Sequence, residues 1–449
     1  MSDTVEGFQF SPQQERLWSL LGSDAGAAYR AQCAVRLQGV VRTQTLEAAL
    51  SRVVERHEIL RTVFRTLPGM FLPLQVITAD CAPPLRRVDL SASTHAEQQS
   101  RVEELLAEAA SRAVNLERGA PLDLALLTLS PAEHVLLITL PALCSDKPSL
   151  GQLVREISGA YADASRREEN TESPVQYAVV SQWLNELLEA ENAQIGRDYW
   201  HEQNTHAAAK LPFEQDAAGR GAFSWEVVTS TLRPALAAKL DGLVERHEAT
   251  AFVFLLTCWQ TLLSRLTGQP DVLIGTGFDG RSDADLSGTL GLMARYLPLR
   301  GRAEEDSTLG DVLKQVEEAA RQAYEWQECF VREPSASAAG ETPYFPFCFD
   351  YEEQPADYQA GGVVFSILRQ HACIDRFDLK LSCVRRGGEL VAEFHFDTAV
   401  FRPEDVERLA EQFQTLLEDA AENMRSPIGE LKLLSSAERR RVLVEFNDT

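Results

Sequence analysis

The side chains best equipped for chemistry fall in one short run, Pro141-Ala142-Leu143-Cys144-Ser145-Asp146-Lys147. It holds a thiol, a carboxylate and an amine. A cysteine becomes a good nucleophile when a cation or a helix N-terminus stabilises its thiolate. Lys147 and a helix starting just after it could supply both, but a buried, inert thiol is the expected reading of Cys144. Two other patterns need weighing. Gly275-Thr276-Gly277-Phe278-Asp279-Gly280 spells GxGxxG after a strand-like run. A dinucleotide site also needs a following helix whose N-terminus holds the pyrophosphate. Residues 281–288 are loop-like instead, so a glycine-rich loop is expected. His371-Ala372-Cys373-Ile374-Asp375 spells HxxxD, which some acyltransferases use with histidine as base. One such match in a chain with eight histidines is what chance supplies. No GxSxG, HExxH or P-loop pattern is present.

The elements around the 141–147 run can be read from periodicity. Residues 122–129 and 134–140 are apolar runs separated by Ser130-Pro131-Ala132-Glu133, a hairpin signal. Pro148 suits the first turn of a helix, and Leu150, Val154, Ile157 and Tyr161 continue it. The run is therefore a strand-to-helix loop, a favourable place for chemistry. Upstream, Leu46, Leu50, Val53, His57 and Leu60 mark an amphipathic helix leading into an extended Arg61-Thr62-Val63-Phe64, and Val102, Leu105, Leu106, Ala109 and Ala113 mark another helix. Residues 162–174 are polar and acidic, the best linker candidate. Beyond them helices are expected at 234–249, 252–266, 309–326 and 405–417, and strands at 271–276, 344–349, 377–384 and 390–396. Strands and helices mingle in both halves, which predicts a two-lobed α/β protein with mixed sheets.

The totals exclude several classes. A chain of 449 residues buries a sizeable core, and 45% hydrophobic with 24% charged residues is ordinary for a globular protein. No apolar run approaches the ~18–20 residues of a membrane span. The N-terminal residues show no basic and apolar export signal, so a cytoplasmic location is expected. Eight cysteines without CxxC pairs fit buried thiols in a reducing compartment, and neither a metal nor a directly bound cofactor is expected. The net charge of −24 should repel nucleic acid and anionic lipid. The excess acid, as at Glu103-Glu104, Glu168-Glu169 and Glu352-Glu353, reads as solvated helix faces rather than as metal ligands.

Several longer motifs occur in a fixed order. Ser11-Pro12-Gln13-Gln14-Glu15-Arg16-Leu17-Trp18 resembles S-x-A-Q-x-R-L-W, and Arg56-His57-Glu58-Ile59-Leu60-Arg61-Thr62-Val63-Phe64 follows R-H-E-x-L-R-T-x-F. The segment 175–183 resembles Y-x-D-Y-A-x-W, and 274–281 ends in the Gly-Arg that opens a floor loop. Gly291-Leu292-Met293-Ala294-Arg295-Tyr296-Leu297-Pro298-Leu299-Arg300 resembles G-x-F-V-N-T-L-P-L-R, and Trp326-Gln327-Glu328 stands where His-Gln-Asp is usual. Residues 433–439 and 446–449 resemble a linker into an adenylation domain. This ordered set covers essentially the whole chain and resembles the condensation domains of nonribosomal peptide synthetases.

That resemblance implies two chloramphenicol-acetyltransferase-like lobes with mixed sheets, arranged as a V around a central tunnel. The lobes are expected at 1–174 and at 175–449, the second including the floor loop, a latch and the start of the linker. Donor and acceptor peptidyl carrier proteins would present substrates on phosphopantetheine arms at opposite mouths, and an adenylation domain would follow. Because Met1 lies a few residues before the first motif, the chain is expected to be its synthetase's first domain, a cloned start codon being the alternative. In this family two histidines, three variable residues and Asp-Gly stand where this chain has Pro141, Ala142 and, after Leu143, Cys144 and Ser145, Asp146 and Lys147. Only the aspartate is kept. The family's aspartate is structural and paired with arginine, which implies an Asp146–Arg281 ion pair between the lobes. The second histidine faces the tunnel; here it is Ala142, which can neither accept a proton nor hydrogen-bond an amine. Two functions follow as expectations: amide formation or modification by a histidine-independent route, or an inactive domain that docks carrier proteins or recruits a tailoring enzyme.

Overall fold

A computed structural model describes residues 6–24, 28–79, 84–119, 121–166, 173–191, 193–203, 209–215, 222–246, 249–331 and 343–434. Part of the expected 162–174 linker and nearly all of the closing motif at 433–449 lie outside these residues.

Two six-stranded mixed sheets organise the chain. The first runs, edge to edge, Tyr358–Ala360, Val363–Ala372, Arg30–Gln38, Glu133–Pro141, Asp123–Ser130 and Leu85–Asp89; only its last pairing is parallel. The second runs Trp225–Thr231, Glu389–Asp397, Leu379–Arg386, Phe347–Glu353, Asp271–Phe278 and Arg295–Arg302. Its third and fourth pairings, on either side of Phe347–Glu353, are parallel and the rest antiparallel. Neither sheet closes into a barrel.

Each sheet carries its own core. Helices Thr43–Arg56 and Lys147–Arg166 pack together on the first sheet, where Leu46, Leu50, Val53, Leu150, Val154 and Ile157 are buried. In the second lobe, helix Ala251–Thr267 is apolar all round and buried on nearly every face, as a central helix must be. Thr250 caps its start, and Gly268, at φ 69°, ends it in the left-handed conformation. Helices Leu309–Glu325 and Pro403–Ala420 flank it with one apolar stripe each. Among the described residues no single helix is long and apolar enough to cross a membrane.

Helix Tyr177–Glu189 buries Tyr177, Val180 and Leu184 in the first core, and the strands between 358 and 372 leave the second lobe to extend the first sheet. That crossing ties the lobes together. The strand expected at 344–349 begins instead at Phe347. Pro346 has no N–H for a ladder, and its carbonyl accepts the amides of Asp378 and Leu379, which opens the pairing.

Candidate functional site

The strand Glu133–Pro141 delivers the 141–147 loop to the boundary between the lobes, and helix Lys147–Arg166 leaves from it. The loop is folded tightly on itself. The Cys144 amide donates to the Pro141 carbonyl (2.9 Å) and the Ala142 amide to the Tyr29 carbonyl (3.2 Å). The first sequence motif holds it from outside: Gln14 donates its side-chain amide to the Leu143 carbonyl at 3.0 Å, while Ser11 and Gln14 cap their own helix start. Ala142 is 1% exposed, and Leu143 and Cys144 are fully buried. Burial pushes the Cys144 thiol well up, away from the thiolate form. The flanking lysine does not reverse this, because it is engaged elsewhere. Cys144 should therefore resist alkylation by iodoacetamide at pH 8 in the native protein and react fully in denaturant, which peptide mass spectrometry would read. Fast native labelling would reinstate it as a nucleophile.

Asp146 and Lys147 point to different partners. Asp146 is fully buried. It caps the helix by accepting the Ser149 amide (2.8 Å) and receives both Arg281 guanidinium nitrogens at 3.1 Å. The amides of Met293 (2.9 Å) and Ala294 (2.8 Å) complete its shell. Burial alone would raise its pKa; Arg281, Ser149 and the Ala294 amide outweigh that and hold it below the usual carboxylate range. Ser149 Oγ accepts from Arg281 and donates to the Gly291 carbonyl, so the floor-loop segment and the 291–300 motif are both anchored at this helix start. Lys147 Nζ lies 2.6 Å from Glu352 Oε2 and 3.2 Å from Ser382 Oγ, both on the second sheet. Burial would lower its pKa, but Glu352, Glu393 and Asp350 around it raise it on balance.

A cavity of about 430 Å³ lies between the lobes, lined among others by Asp146, Lys147, Arg281, Tyr296, Asp350 and Glu352. A groove of about 1030 Å³ adjoins it across Gln152, Arg155, Ser287 and Tyr358. The second sheet turns a polar face to this region. Asp350 accepts from Tyr296 (2.9 Å) and lies 3.4 Å from Lys380, and Glu352 takes the Gln370 amide. Farther along, His395 Nε2 sits 3.5 Å from Glu393. None of these was singled out as a site residue from sequence. The signal was present: Asp350 and Glu352, and Glu393 and His395, occupy alternate positions of their strands, so each pair shares one face.

The two decoys resolve into structure. No helix follows Gly275–Gly280; the next element is the short 3₁₀ turn Ala284–Leu286. A Cβ on Gly275 would meet Phe345 at 2.6 Å, and one on Gly277 would collide with Asp350 Oδ1, so these glycines permit close packing. His371 packs edge-on against Trp225, whereas Asp375 accepts from Arg16 and from the Arg376 amide. Among the described residues no cluster of histidine, cysteine and carboxylates suits a metal ion.

A Condensation domain family model matches residues 6–443. The chain is 30% identical over 450 residues to a linear gramicidin synthase of Brevibacillus parabrevis, an alignment covering 97% of this chain and 6% of that protein. It therefore spans a small part of such a relative. The first condensation domain of the calcium-dependent antibiotic synthetase superposes with a TM-score of 0.82 at 19% identity, covering 97% of this chain and all of that one. The X-domain in its complex with OxyB from teicoplanin biosynthesis superposes with a TM-score of 0.78 at 24% identity, covering 97% and 98%. With the family model matched over nearly its whole length, the chain belongs to the condensation domains of nonribosomal peptide synthetases.

Proposed function

We propose that this condensation domain docks carrier proteins within a synthetase without supplying an acid or base to amide formation. The observation that carries the reading is the 141–145 loop. Its residues offer no imidazole, its thiol is buried and protonated, and the cavity lining begins only at Asp146 and Lys147. Those two are held by Arg281 and Glu352. A domain of similar fold exists in complex with OxyB, which supports binding of a second protein as a task this fold can perform. The partners in this reading are donor and acceptor carrier proteins, their phosphopantetheine arms, and an adjacent adenylation domain.

A second reading rests on the cavity that persists between the lobes. Positioned acid–base catalysis is worth roughly 10²–10⁴-fold, or about 3–5.5 kcal/mol. Holding two reactants together supplies about 7–11 kcal/mol. Thioester aminolysis by positioning alone is thus energetically sufficient, and its rate would climb through the pKa of the acceptor amine and then level off. Mass spectrometry of loaded donor and acceptor carriers, with and without the domain, separates the two. The expected result is saturable carrier binding with no amide above the background of mixed carriers. With a net charge of −24 the chain gains no long-range attraction toward a carrier that is itself acidic, and binding of such a carrier should stay flat or strengthen with added salt. Domain-dependent amide would establish the positioning reading instead, and absence of carrier binding would end both.

A further inference from the structure

The interlobe cavity starts at the residues that end the loop, while Ala142, Leu143 and Cys144 are packed in the first core. Asp146 and Lys147 line the cavity; none of residues 141–145 does. Of the two loop-end residues that line it, Lys147 is the one whose side chain reaches across to the second sheet. It leaves the first turn of its helix, where a positive charge opposes the helix dipole, so local helix energetics give no reason for a lysine there. The compensation is tertiary. Nζ reaches Glu352 Oε2 at 2.6 Å and Ser382 Oγ at 3.2 Å on the second sheet. Glu352 is fixed in turn by the Gln370 amide, from the strand that crosses into the first sheet. Helix start, second sheet and crossing strand thus meet at one ion pair, with about a fifth of each side chain left exposed. A residue without a side chain at 147 would leave that space open and Glu352 without its cation.

We infer that the Lys147–Glu352 pair is a plug that shuts the interlobe cavity off from the 141–145 loop, so that a substrate arm entering the cavity stops short of the position of Ala142. Lys147 is then an access-determining residue, and the loss of chemistry at the loop and the closure of the path to it are two separate changes. The inference deepens the docking reading and takes its functional meaning from it, but its test needs no carrier protein.

The test places a thiol at the buried methyl. Ala142→Cys is made alone, with Lys147→Gly, and with Lys147→Met, which fills the same space without the charge. Each protein is treated with N-ethylmaleimide, and labelling is followed by peptide mass spectrometry. Native Cys144, fully buried two residues away, is the internal reference for an intact fold. The thiol at 142 should label slowly in the single variant and about tenfold or more faster with Lys147→Gly, since local opening governs such rates. Lys147→Met should stay within a few-fold of the single variant. Equal rates with and without Lys147→Gly overturn the plug, and so does rapid labelling in the single variant. If Cys144 labels as well, the opening is global, and Glu352→Ser, which shortens the other half of the pair, takes the place of Lys147→Gly in the same comparison. Failure there also overturns the plug. A failure of carrier binding would sink the docking reading and leave this labelling pattern untouched.

Discussion

Asp146→Ala is expected to lower the free energy of unfolding by about 3–5 kcal/mol, the usual result of removing one partner from a buried ion pair. The carboxylate has no exposed surface and accepts from the amides of Ser149, Met293 and Ala294 as well as from Arg281. Alanine removes every acceptor at once, and a buried donor left unsatisfied costs about 1–3 kcal/mol. Arg281 retains the Ser149 hydroxyl and the carbonyls of Asp279 and Thr289, which limits the loss on its side. Arg281→Met should be damaging too, because it strands the Asp146 charge. Joining Asp146→Ala with Arg281→Met should cost less than the sum of the two single changes, since each single change strands one buried charge and the double change strands neither. Urea unfolding of the single and double variants would measure this. If Asp146→Ala unfolds within about 1 kcal/mol of the wild type, the structural role assigned to this carboxylate is wrong.

Asp146 could be anticipated because its role is local as well as distant. It precedes a helix, where a carboxylate caps, and it is the residue left standing in a motif otherwise replaced. The amphipathic helices were legible for a similar reason: burial of one face repeats every three or four residues, and helices 43–56, 309–325 and 403–420 fall close to where that spacing puts them. The strands were harder. Arg295–Arg302 contains Pro298, which reads against a strand; it is tolerated because this is the sheet's edge. Val363–Ala372 alternates too weakly to announce itself, and nothing local says which sheet it joins. Its register is set by Arg30–Gln38, a strand more than three hundred positions earlier.

The site divides in the same way. The type of loop at 141–147 follows from the flanking apolar runs and Pro148. That the thiol within it is inert does not, because its burial depends on residues such as Gln14, 129 positions away from the Leu143 carbonyl it holds. Lys147 looked from sequence like a cation beside Cys144. The second sheet gives it Glu352 instead, a residue that reads in isolation as one more surface acid. Polar residues at alternate strand positions were the available hint. A strand whose polar face meets another lobe carries the same alternation as one whose polar face meets water.

That buried polar face leads to an expected acid sensitivity. His395 is 4% exposed, with its ring against Trp225 and Phe377. Burial lowers its pKa, Lys380 and Lys147 lower it further, and Glu393 only partly opposes them, leaving it at about 4. An unfolded chain has histidine at about 6.5. The unfolded state therefore binds the proton first on acidification. The folded protein keeps its full stability above about pH 6.5 and loses it progressively as pH falls toward 4, by about 3 kcal/mol from this group. His371, held well below its ordinary value mainly by burial, acts with the same sign. Glu393 enters only later: its depressed pKa, at about 2, contributes stability that begins to fade once pH drops below the ordinary carboxylate range. Urea midpoints should thus already fall between about pH 7 and 5.5, above the range in which paired carboxylates contribute. His395→Gln, which keeps a polar group beside Glu393 but cannot take up a proton, should flatten the slope, leaving the share due to His371 and to His134, whose pKa burial also lowers. An unchanged slope in that variant would mean that His395 is not buried in its neutral form, and that the polar face of the second sheet is open to water.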